Sequence, residues 1–198
     1  MPHLALQRML LPGVDVKTMN SGKIKSGLGK DAQAQGAFDV LGTITLTGDA
    51  TSLTFNGIPQ TYKHLQVRGQ VRRNVGLNST AEMRFNNVTS ASYSFHGSKN
   101  TTGEYSINET FMRTHWVHSN TINVADQYSA VIVDIFDYAD MTKYKTIKSF
   151  GGHSMNASGI VSLYTGSFYS LDSVNSITIF NDGDIMVAGT SYTLYGIN

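Results

Sequence analysis

From Phe38 to the C-terminus this chain alternates apolar and polar side chains in short runs, and nowhere does it sustain a helical period over twelve residues. Successive side chains of a strand point to opposite faces, so a period of two marks a half-buried strand and constrains the fold more than any other feature here. Ile44 and Leu46 alternate with Thr43, Thr45 and Thr47; Gly48-Asp49 turns the chain; Leu53 and Phe55 then alternate with Ser52 and Thr54. Leu65, Val67, Gly69 and Val71 form one face of the next run, with Gln66, Arg68, Gln70 and Arg72 on the other. Ala81, Met83 and Phe85 follow, ahead of an Asn86-Asn87 turn. Residues 110–117, 128–136, 145–150, 160–164, 174–180 and 191–197 read as further strands. The middle of 128–136 is apolar on both faces, as expected of a central strand. Nine to eleven strands with Gly, Asn, Asp and Ser clusters between them predict an all-β antiparallel sandwich, and a jelly roll is the specific expectation.

The first 37 residues differ in kind. They contain no Phe, Tyr or Trp, five scattered glycines, and five basic residues (Arg8, Lys17, Lys23, Lys25, Lys30) against Asp15 and Asp31. Leu4 to Leu11 could form one or two helical turns before Pro12-Gly13 stops them. Such a segment cannot bury a core of its own. It is a flexible tail, a segment folded back on its own domain, or an arm that orders against another surface, and the arm is the reading adopted. The domain division is therefore an arm over 1–37 that docks to neighbouring subunits and a sandwich over 38–198.

Charge and chemistry narrow the function. Lys and Arg number 15 against 14 Asp and Glu, so no global field would recruit nucleic acid or an anionic membrane. There is no cysteine, which removes disulfides and thiolate metal sites. No apolar stretch approaches the ~20 residues that cross a bilayer, and the N-terminus lacks the pattern of a secretory signal. His115 and His118 are the only close histidine pair, and positions i and i+3 of a strand face opposite ways, so they read as surface or interface histidines. Asp134, Asp137, Asp140, Glu104 and Glu109 lie near strand ends, where carboxylates are ordinarily solvated or engaged in caps, and a glycosidase pair is the less favoured reading. Asn181-Asp182-Gly183-Asp184 opens like a calcium loop but lacks the later ligands, and a turn accounts for it. Nucleophile-elbow and phosphate-loop motifs are absent. The expectation is a protein that is not an enzyme and takes no cofactor or metal.

Candidate contact residues remain. Arg68 and Arg72 share a face by alternation and look like subunit-contact charges, as do the five basic residues of the arm. Aromatics of a sandwich ordinarily fill its core, and Trp116 is the candidate for stacking on a ligand such as a surface glycan.

The run Ile58-Pro59-Gln60-Thr61-Tyr62-Lys63-His64-Leu65, then Met83-Arg84-Phe85-Asn86-Asn87, Tyr93-Ser94, Tyr144-Lys145-Thr146 and the ending 187–197 together resemble small β-sandwich virion proteins of tailed bacteriophages, of the marine and cyanophage type. The resemblance covers about residues 40–197, rests on soft motifs in order, and carries no functional residues across. It implies a virion structural protein made in the host cytoplasm and placed on the capsid surface or tail. A capsid decoration (cement) protein anchored by its arm to other virion proteins is the leading expectation; a receptor- or glycan-binding tail component is the alternative. A homo-oligomer, for instance a trimer, is expected by analogy.

Overall fold

The computed structural model of the chain describes residues 14–15, 37–74, 79–100, 102–119, 127–155, 158–181 and 183–198, without the side chains of 14–15, 118–119, 155 and 158. Among these, thirteen strands and no helix occur: β1 (Val14–Asp15), β2 (Phe38–Leu46), β3 (Ser52–Asn56), β4 (His64–Arg73), β5 (Ser79–Phe85), β6 (Tyr93–Lys99), β7 (Thr102–Glu109), β8 (Met112–Ser119), β9 (Ser129–Phe136), β10 (Lys145–Met155), β11 (Ser158–Phe168), β12 (Ser176–Asn181) and β13 (Ser191–Ile197).

Two antiparallel sheets pack as a sandwich. Eight strands carry the jelly-roll arrangement, with β2-β13-β4-β9 in one sheet and β3-β12-β5-β8 in the other. The hairpins β6–β7 and β10–β11 are insertions into this framework. They extend the first sheet beyond β9 in the order β10-β11-β6-β7, while β1 pairs the outer edge of β2 through Val14 and Asp15. The two sheets meet at a short parallel contact of Arg72 and Arg73 with His118 and Ser119.

The alternation works as expected on the inner faces. Leu65, Val67 and Val71 of β4, Val131, Val133 and Ile135 of β9, and Ile177 and Ile179 of β12 are all buried. Phe85, Tyr93 and Phe168 stack in the middle of the core, with ring centroids 4.9–6.2 Å apart. The reading by period misses β6 and β7, because residues 93–109 are rich in Ser, Gly, Asn and Thr and carry no apolar alternation. Their inward side chains are few and large: Tyr93 and Phe95 are buried, and the next inward position, Gly97, lies under the ring of Tyr164.

One end of the sandwich is tied by polar side chains. The buried Lys145 ammonium donates to the carbonyls of Asp140, Lys143, Ser170 and Leu171, joining the β9–β10 turn to the chain after β11. The Tyr138 hydroxyl donates to the Pro59 carbonyl, and Asn86 bonds Ser173, Asn175 and Ser176. Asn86 and Asn87 both have positive φ, and the Val88 N–H returns to the Phe85 carbonyl at 2.9 Å, which closes a tight turn where the chain leaves β5.

Candidate interaction face

The outer face of the larger sheet is where the structure departs from a closed globule. Register aligns its outward side chains in rows across the strands. One row runs from Thr193 through Arg68, Ile132 and Phe150 to Leu163 and Ser98. The next, two residues along, runs Tyr195, Gln66, Asp134, Lys148, Thr165, His96 and Tyr105. Ile132, Phe150 and Leu163 are therefore direct cross-strand neighbours, 43%, 56% and 45% exposed, with Val161 beside them at 56%. The apolar outward side of β9 fits a central strand, but that side is open to water instead of covered. These four side chains form a contiguous exposed apolar patch, the kind of feature that often marks a contact surface.

Arg68 borders this patch. Its guanidinium lies 4.7 Å from the Tyr195 ring centroid and 5.2 Å from that of Phe38, and its Nε donates to Gln66 at 2.6 Å. The Gln66 amide in turn donates to Asp134 at 2.6 Å. Stacked on two rings and tied to a neighbour, the guanidinium is held in place while still exposed, the condition in which an Arg serves as an interface anchor. Arg72, four residues on, is half-buried and lies 5.1 Å from the Tyr128 ring, away from the patch. Its neighbour Arg73 is buried and forms an ion pair with Asp184. Arg8, Lys17, Lys23, Lys25 and Lys30 lie outside the described residues.

A second apolar cluster sits on the same face near the tied end. Tyr144 and Tyr169 meet edge to face at 5.4 Å, and the Tyr169 hydroxyl lies 2.6 Å from the Ser94 hydroxyl. Met141 and Leu171 are exposed close by in sequence. At the far edge Tyr105 of β7 is 76% exposed and stacks on His96.

Trp116 is placed differently from a ligand platform. Its indole N–H donates to the Tyr164 hydroxyl at 2.9 Å, and the Lys99 ammonium lies 3.6 Å from its ring centroid. Tyr164 in turn donates to Glu104 at 2.6 Å, and Glu104 accepts from Arg113 at 3.2 Å. The polar edge of the indole and one ring face thus already have partners within the chain. Burial, with the Glu104 carboxylate next, pushes the Tyr164 hydroxyl well above its ordinary range, so it stays protonated and able to donate.

The acids and histidines have similar local roles. Asp137 pairs with Lys143 at 2.7 Å, which holds its carboxyl below the usual range, and Asp140 accepts from the Thr142 hydroxyl and N–H. Glu109 accepts from Ser106. His115 is fully buried, contrary to the expectation of a surface histidine, because a bulge between Ala81 and Glu82 of β5 and their β8 partners sets the inward phase of β8. Burial, and then the neighbouring His153, lower its pKa to about 3, so its ring is neutral. Asp184 returns its N–H to Asn181 at 3.1 Å around Gly183, whose φ is +69°, as a turn requires. Among the described residues no three His, Asp or Glu side chains converge as metal ligands.

In comparisons with family models, with curated proteins and with solved structures, nothing matches this chain.

Proposed function

We propose that this chain is a structural protein of a bacteriophage virion, a capsid decoration (cement) protein whose jelly roll is anchored by the arm of residues 1–37. The observation that carries this reading is the outer face of the larger sheet, where apolar side chains lie open beside a positioned arginine on a rigid module. A face of that kind favours protein contact over catalysis. The topology suits the role: each jelly-roll strand is paired within a sheet. The resemblance of residues 40–197 to phage virion proteins points the same way. The tail-component alternative draws less support, because Trp116 has partners on its N–H and on one ring face.

The test is incorporation into particles. Full-length chain and a variant lacking residues 1–37 are supplied in trans to particles assembled without the protein. The full chain is expected to copurify with shells, and the truncated one to remain folded but unbound. Association with isolated tails and not with shells would replace the capsid reading by the tail one. Normal incorporation of the truncated chain would refute anchoring by the arm.

A further inference from the structure

The two apolar clusters of the outer face are related by the register of one hairpin. In β10 and β11, Phe150 pairs with Leu163 and Lys145 with Phe168, so Tyr144 stands opposite Tyr169 six residues from the Phe150–Leu163 pair. Halfway between lies the Ile147–Gly166 pair, flanked symmetrically by two outward polar rows, Thr146–Ser167 and Lys148–Thr165. At ~3.3 Å per residue each apolar pair is thus ~10 Å from the midpoint.

From this symmetry we infer that the outer face is an interface with a second copy of the same chain, related by a two-fold axis that lies in the plane of the face and runs across the strands at Ile147. Rotation about that axis lays Phe150 and Leu163 of one copy on Tyr144 and Tyr169 of the other. The same rotation sets the Lys148–Thr165 row against the Thr146–Ser167 row, so apolar meets apolar and polar meets polar. Contacts of this reciprocal kind, i to j and j to i, define an isologous dimer. Charge agrees: the face carries Arg68 and Lys148 with Asp134 between them, and lacks the single strong sign that would call for an oppositely charged partner. The axis meets β9 at Ile135 and β4 at Leu65, near the ends of both strands, so it is β10, β11, β6 and β7 that extend to both sides of it. Four strands at ~4.8 Å and seven residues at ~3.3 Å cover roughly 440 Å² per partner, the size of a weak, concentration-dependent dimer. Two such sheets would stack as aligned layers, as sheets in sandwiches do.

The inference concerns the free chain and stands or falls independently of whether it joins a particle. Sedimentation velocity on the full-length chain between about 1 and 100 μM is expected to show a dimer at the upper end. The double substitution Phe150→Lys with Leu163→Glu is expected to give a monomer with an unchanged far-ultraviolet circular dichroism spectrum. The absence of native cysteine allows a geometric check. Facing sheets lie ~10 Å apart, beyond the reach of a disulfide, so Tyr144→Cys combined with Phe150→Cys is expected to be cross-linked between chains by a short bis-maleimide, at least tenfold more than either single substitution. A native chain that stays monomeric throughout, a folded double variant that still dimerises, or Phe150→Cys alone cross-linking as well as the pair would overturn the inference. Should the charged variant fail to fold, Leu163→Gln together with the cross-linking result decides it.

Discussion

Lys145 shows how a single side chain can hold two distant turns. A buried ammonium is tolerable only when its hydrogens are met, and here four carbonyls meet it. Lys145→Met removes the charge and leaves those carbonyls without their donor, so stability should fall by about 3 kcal/mol in urea unfolding. Burial lowers the Lys145 pKa, which agrees with its place in the interior. His115 makes a pH prediction. Its folded pKa of about 3 lies below its unfolded value, so at intermediate pH the unfolded chain binds the extra proton. The native state therefore loses stability as pH falls from about 6.5 toward 3, by up to about 1.4 kcal/mol per pH unit. In His115→Gln the dependence of unfolding free energy on pH across that window should flatten; an unchanged slope would assign the acid sensitivity to other groups. Neither role was legible in the sequence. A lysine opening a strand and a histidine beside a tryptophan carry no local sign of burial, which depends on what the other sheet places over them.

Among the elements, turns and inner faces were the most readable. The Asn86-Asn87 turn was visible because two adjacent residues that tolerate positive φ sit between alternating runs. Asn86 also makes side-chain bonds to Ser173, Asn175 and Ser176, so two effects separate by substitution. Asn86→Gly keeps the backbone geometry and loses the bonds, whereas Asn86→Ala loses both, and it should be less stable than the Gly variant by about 1 kcal/mol. Thermal melts of the pair measure the difference. The insertion strands β6 and β7 were unreadable, because their stability comes from cross-strand fits such as Tyr164 over Gly97 and not from periodic apolar residues. Gly97→Val would drive a side chain into the Tyr164 ring and the Leu163 carbonyl, at about 1–3 kcal/mol. The displaced Tyr164 would release the indole of Trp116, so fluorescence of this single tryptophan should shift in the same variant. An unperturbed emission spectrum would show that the network does not depend on the glycine.

For the whole molecule, the core of 38–198 is bounded by strands that pair with one another, and the inner-face residues named above come from that region alone. Removal of residues 1–37 is therefore expected to leave the circular dichroism spectrum of an all-β domain and to lower the melting temperature by no more than a few degrees, as measured by calorimetry. The sequence by itself determined the class of fold, the inward residue of most strands and, among the described residues, the absence of helix, because strand period is a local property that the chain carries wherever it folds. Tertiary structure alone decided which strands became neighbours, which histidines were buried, and that Trp116 would be engaged by Tyr164 and Lys99. It also decided that the outward apolar residues of β9, β10 and β11 would stand side by side. Each is one unremarkable residue in its own run, and only pairing between strands far apart in the chain assembles them into a surface.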